Sequence, residues 1–76
     1  MFEDIKTVIV ESLNLSPETV TLTAHLRDDL GIDSLDAAEL IMELEDKFEL
    51  KIDEAQAGSF ATVQHIVDFI TTAKQS

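Results

Sequence analysis

Ser34 lies in the run Asp28-Asp29-Leu30-Gly31-Ile32-Asp33-Ser34-Leu35-Asp36, near the middle of a 76-residue acidic chain. Asp33 can cap a helix that Ser34 and Leu35 open, and Asp36 completes an acidic first turn suited to the positive end of the helix dipole. The Ser34 hydroxyl therefore projects from a helix start, where unpaired backbone N–H groups favour an anion, including a phosphodiester on that hydroxyl. Little else in the chain could do chemistry. With no cysteine there is no disulfide, no thiolate nucleophile, no Cys-based zinc site and no protein sulfur to hold a thioester. His25 or His65 could in principle serve Ser34 as a base, but no nucleophile elbow surrounds the serine. Asp28 and Glu39 are spaced like the first and last ligands of an EF-hand loop, yet Leu30 and Ile32 fall where oxygen ligands are needed and Asp33 replaces the turn glycine. Such a chain can present a group but not transform one.

Charge points the same way. The formal net charge of −11 divides into −2 over residues 1–27, −8 over 28–49 and −1 over 50–76, so it is concentrated around Ser34 and the helix after it. That field repels nucleic acid and anionic lipid and steers basic protein surfaces toward this region. The N-terminal residues lack the basic start and long apolar run of a secretory signal, and no segment approaches membrane-spanning length. A cytoplasmic, monomeric protein is expected, with no nucleic-acid binding and no membrane insertion.

The elements that must position Ser34 can be read from periodicity. Phe2, Ile5, Val8, Ile9 and Leu13 mark one buried helical stripe over 2–13. Residues 14–32 lose the period but keep Leu15, Val20, Leu22, Leu26 and Leu30, with a short turn at Ser16-Pro17-Glu18; this is a long loop whose hydrophobes should pin it to the core. A second helix runs from Ser34 to Phe48. Its core face carries Ala37, Leu40, Ile41, Leu44 and Phe48, while Leu35 and Met42 fall on the outer side with Glu39 and Asp46, flanked by Ala38 and Glu45. Residues 53–57 could form a short helix ended by Gly58-Ser59. Thr62 is a candidate cap for a last helix in which Val63, Ile66, Val67, Ile70 and Ala73 are the buried stripe and Phe69 its edge. The expected fold is all-α, a small bundle of four helices, three long and one short, forming a single domain over 1–76.

The run from Asp28 to Leu40, with its Asp-Leu-Gly lead-in, the acidic amphipathic helix after Ser34 and the Thr62-Val63-Gln64 opening of the last helix, resembles the acyl carrier protein family. The likeness spans essentially the whole chain. It implies that a phosphopantetheinyl transferase (holo-carrier synthase) moves 4′-phosphopantetheine from coenzyme A onto Ser34, flanked by Asp33 and Leu35, and that acyl chains ride on the thiol of that group while partner enzymes do the chemistry. It further implies a helical bundle with a space for the acyl chain lined by Leu26, Ile32, Leu40, Leu44, Phe48, Ile52, Val63, Ile66 and Ile70. Partners such as an acyltransferase and a ketosynthase would dock basic patches on Asp36, Glu39, Met42, Glu45 and Asp46. The chain departs from many fatty-acid carriers at Ile52-Asp53-Glu54-Ala55-Gln56, where Ile-Pro-Asp-Glu is common, and at Leu26, where phenylalanine is common. Fatty-acid, polyketide and lipid-modifying routes all stay open. A peptidyl or D-alanyl carrier and a non-carrier acidic interaction domain are the alternative readings.

Overall fold

The computed structural model describes residues 2–75, so the two end residues of the expected 1–76 domain lie outside it. The described residues form α1 (Phe2–Leu13), a 3-10 turn at Pro17–Thr19, α2 (Ser34–Phe48), α3 (Glu54–Gly58) and α4 (Val63–Gln75). None of these helices is long and apolar enough to cross a membrane. The stripes expected of α1, α2 and α4 converge on one core, in which Ile5, Ile9, Leu40, Leu44, Ile66 and Ile70 are the largest fully buried side chains. Leu13 and Val67, at stripe margins, are only partly buried against that core. Ala73, expected in the buried stripe, is half-buried.

Helices α1 and α2 end where their backbone turns left-handed. Asn14 has φ 55°, and the Leu15 N–H closes back on the Val10 carbonyl at 3.2 Å, a Schellman-type stop for α1. Glu49 has φ 53° at the end of α2, where the Glu45 carbonyl accepts from both Glu49 N–H and, at 3.2 Å, Leu50 N–H. Lys74 Nζ on α4 donates to the Phe48 carbonyl at 2.9 Å, setting a cation on the negative end of α2.

The connection from α1 to α2 is fastened twice over. Val20, Ala24, Leu26, Leu30 and Ile32 are buried and Leu15 packs against the core edge, whereas Leu22, expected as an anchor, is half-exposed and stays out of the core. Leu22 anchors through its backbone instead. Its carbonyl accepts from Gln64 N–H at 2.9 Å, and beside it Val63 N–H reaches the Ala24 carbonyl at 3.1 Å and Leu26 N–H the Ala61 carbonyl at 3.0 Å. These bonds surround the antiparallel bridge between His25 and Thr62, so the loop lies against the start of α4. Gly31, at φ 67°, lets the chain turn back so that Ile32 N–H meets the Leu26 carbonyl at 2.8 Å. That turn delivers Asp33 to the start of α2.

The second connection is lighter. The Asp53 carboxylate accepts from Gln56 N–H at 2.8 Å and caps α3, a helix of 5 residues with no buried residue. Gly58 is the last helical residue, and Ser59 beyond it keeps a right-handed backbone. Phe60, packed edge-on against Phe69 of α4 at 5.6 Å, closes the segment.

Candidate functional site

Asp33 builds the start of α2 with both of its acceptors. Its Oδ1 takes the Asp36 N–H at 2.9 Å and its carbonyl takes the Ala37 N–H at 2.8 Å, leaving the N–H groups of Ser34 and Leu35 to solvent or to an anion. Ser34 is the first residue of α2 and is exposed, and among the described residues no histidine hydrogen-bonds its hydroxyl. His65 is occupied elsewhere: its Nδ1 accepts from Ala61 N–H at 3.0 Å and Thr62 N–H at 3.3 Å, and its own N–H reaches Thr62 Oγ1 at 3.4 Å. This is a capping box at the start of α4 with histidine in the place usual for Glu or Gln. Leu30 and Ile32 are turned into the core, 7% and 4% exposed, which removes two of the positions an EF-hand loop would need.

Beside Ser34 opens a cleft of about 640 Å³ between α2, α3 and the end of the first connection. Five of the nine residues expected around an acyl chain line it: Leu26, Ile32, Leu40, Ile52 and Ile66. Leu44, Phe48, Val63 and Ile70 do not. They belong to the core, at 0%, 9%, 0% and 0% exposure, and the lining that α2 gives the cleft stops at Ile41. Periodicity identifies buried residues but does not separate a core wall from a cleft wall. The cleft's remaining apolar lining, Ala37, Ala38, Ile41, Ala57 and Phe60, combines small side chains with part-buried ones. A small residue on a helix face facing another element was the available signal. Arg27 and Glu54 complete the rim near Ser34 and Asp33, and Arg27 is the one basic residue lining the cleft.

The outer side of α2 is set by the same helix geometry. Leu35 and Met42 are 82% and 62% exposed, the two large hydrophobic side chains of the described residues left in water. Glu39 and Asp46 are exposed beside them, and Asp36 is half-exposed. Glu39 and Asp46 also border a shallow cleft toward α1 with Glu11, Glu43 and Lys47, so the acidic surface continues to that side. Glu45 differs from the rest of the expected rim. Half-buried like Asp36, it is the one rim carboxylate whose oxygen is bonded across the turn, its Oε2 accepting from the Ile52 N–H at 2.7 Å.

An exposed primary hydroxyl at a helix start, beside an apolar cleft, suits a tethered phosphodiester whose far end carries an apolar cargo. Comparison with known proteins agrees with this geometry. The family profile described as phosphopantetheine attachment site matches residues 3–70. The acyl carrier protein of Wolinella succinogenes is 47% identical over 97% of either chain, and that of onion yellows phytoplasma 48% identical over 93% of either chain. A solved structure from Mycobacterium tuberculosis assigned as an acyl carrier protein superposes with a TM-score of 0.87 at 34% identity, covering 93% of this chain and 95% of the other. The chain belongs to the phosphopantetheine-binding family and, within it, to the acyl carrier proteins. It is a carrier and not a catalyst, it bears phosphopantetheine, and its partner classes are a phosphopantetheinyl transferase and the enzymes of a synthase.

Proposed function

We propose that Ser34 is the attachment residue and that Asp33 and Leu35 present it. The observation that carries this reading is the exposed hydroxyl at the first residue of α2, opening beside the cleft. Phosphopantetheine, when bound, supplies the thiol that the chain lacks. Asp33 holds the helix start open to the phosphodiester, the free N–H groups of Ser34 and Leu35 face it, and Arg27 offsets the surrounding carboxylates. The cleft lined by Leu26, Ile32, Leu40, Ile52 and Ile66 shelters an acyl chain from water, and Leu44, Phe48, Val63 and Ile70 support its floor. The chain acts as a single carrier domain over 1–76.

Partner recognition is assigned to the outer side of α2. Leu35 and Met42 supply apolar contact within an acidic rim of Asp36, Glu39 and Asp46, and transferase, acyltransferase and ketosynthase surfaces rich in Arg and Lys complement it. Incubation with coenzyme A and a broad-specificity phosphopantetheinyl transferase is expected to add one prosthetic group by intact mass. Ser34→Ala should keep the helical circular-dichroism signal and take up none. Modification persisting in that variant overturns the assignment.

A further inference from the structure

Arg27 lines the cleft on the wall that Ser34 shares, and among the described residues its side chain makes no hydrogen bond or ion pair. Its neighbours in the chain include Asp28, Asp29 and Asp33. Two of those carboxylates are committed to backbone amides, Asp29 Oδ2 to His25 N–H at 2.7 Å and Asp33 Oδ1 to Asp36 N–H at 2.9 Å. The backbone under Arg27 is fixed. Its carbonyl accepts from Gly31 N–H at 3.1 Å, between the His25 carbonyl, which takes Asp29 and Leu30 N–H at 2.9 and 3.1 Å, and the Leu26 carbonyl, which takes Ile32 N–H at 2.8 Å. A bonded turn thus holds an uncommitted guanidinium beside Ser34, with five N–H donors in a fork that matches the oxygens of a phosphate.

Charge around Ser34 is lopsided. Asp36 and Glu39 belong to the outer side of α2 and do not line the cleft, whereas Arg27 does. Asp33 and Glu54 line it as well, Asp33 with one oxygen already bonded. A phosphodiester on Ser34 adds a further negative charge, repelled from the outer side and attracted by the guanidinium. We infer that Arg27 is a positioning residue for the phosphopantetheine arm: its guanidinium holds the phosphodiester on the cleft side of Ser34, so the arm leads its cargo into the cleft rather than over the acidic outer side of α2. The inference rests on reading Ser34 as the attachment residue. Because Arg27 is exposed, water and salt screen the attraction, and the bias it gives is a few-fold.

The test uses the full chain loaded by a broad-specificity phosphopantetheinyl transferase, as the parent, Arg27→Gln, Arg27→Lys and Lys47→Gln. The last removes an equal charge from a residue that does not line the cleft. Intact mass and the mass of the fragment containing Ser34 locate the group, so attachment elsewhere overturns the attachment reading and this one together. Between the unloaded and loaded parent the Arg27 Nε–H NMR signal is expected to shift, and high salt should reverse the shift. The same chains loaded with an octanoyl group from octanoyl-coenzyme A are then treated with hydroxylamine, which cleaves a thioester open to water and so reports sheltering with no partner protein present. Cleavage is expected to be about 1.5- to 5-fold faster in Arg27→Gln than in the parent, the range of an exposed ion pair. Arg27→Lys, which keeps the charge without the fork, should fall between them, and Lys47→Gln should match the parent. With Ser34 loaded, an Arg27 signal indifferent to loading overturns the contact. Equal cleavage in Arg27→Gln and the parent, or an equal rise in Lys47→Gln, overturns the positioning role.

Discussion

The two long connections of this carrier, residues 14–33 and 49–62, do opposite jobs. The first, between α1 and α2, buries five hydrophobic side chains and is stitched by backbone bonds to the start of α4. The second, between α2 and α4, contains a helix with no fully buried residue, only Ala57 packing part-buried on the core, and is held at Ile52 and Phe60. They face each other across the cleft beside Ser34. One wall is therefore part of the core and the other rests against it. Local stability divides in the same way, since segments with few buried contacts open at lower free energy than the core.

The sharpest way to break this contrast is to attack the anchored side. Leu26 is 8% exposed, lines the cleft and donates its N–H to the α4 side of the bridge. Leu26→Ala is expected to lower unfolding stability by about 2–5 kcal/mol, measured by urea denaturation. A loss well under ~1 kcal/mol would mean that the first connection floats as freely as the second.

A weaker perturbation on the other side sharpens the comparison. Asp53→Ala removes the side-chain acceptor at the start of α3, a change worth about 1 kcal/mol where a helix end matters to the fold. Here the expected result is faster amide exchange confined to α3, with the global urea midpoint nearly unmoved. If the midpoint fell by the full capping energy, α3 would be part of the cooperative core and the contrast would fail.

The smallest stability effects belong to the outer side of α2. Met42→Ala and Glu39→Lys change exposed groups and should stay within about 0.5 kcal/mol of the parent. Both are expected to slow loading by the phosphopantetheinyl transferase, and the Glu39 effect should shrink as salt rises, because rim charges act mainly on encounter. Loading rates equal to the parent at every salt concentration would place recognition elsewhere on the molecule.

The features that the sequence by itself determined were set by local rules. The bounds of α1 and α2 come from helical periodicity, the Asp33 cap from its side chain at a helix start, and the outward face of Leu35 and Met42 from about 100° of turn per residue. The full-length pattern around Ser34 was enough to reach the family. Tertiary structure decided the rest, because the remaining features join residues far apart in the chain. That Leu22 anchors by its carbonyl, that Leu44, Phe48, Val63 and Ile70 belong to the core while Ala37, Ile41 and Phe60 border the cleft, and that His65 caps α4 all depend on how elements meet. Glu45 shows the division most plainly. Its position on the helix wheel assigns it to the acidic rim, but only the folding back of the chain brings the Ile52 amide within 2.7 Å of its carboxylate.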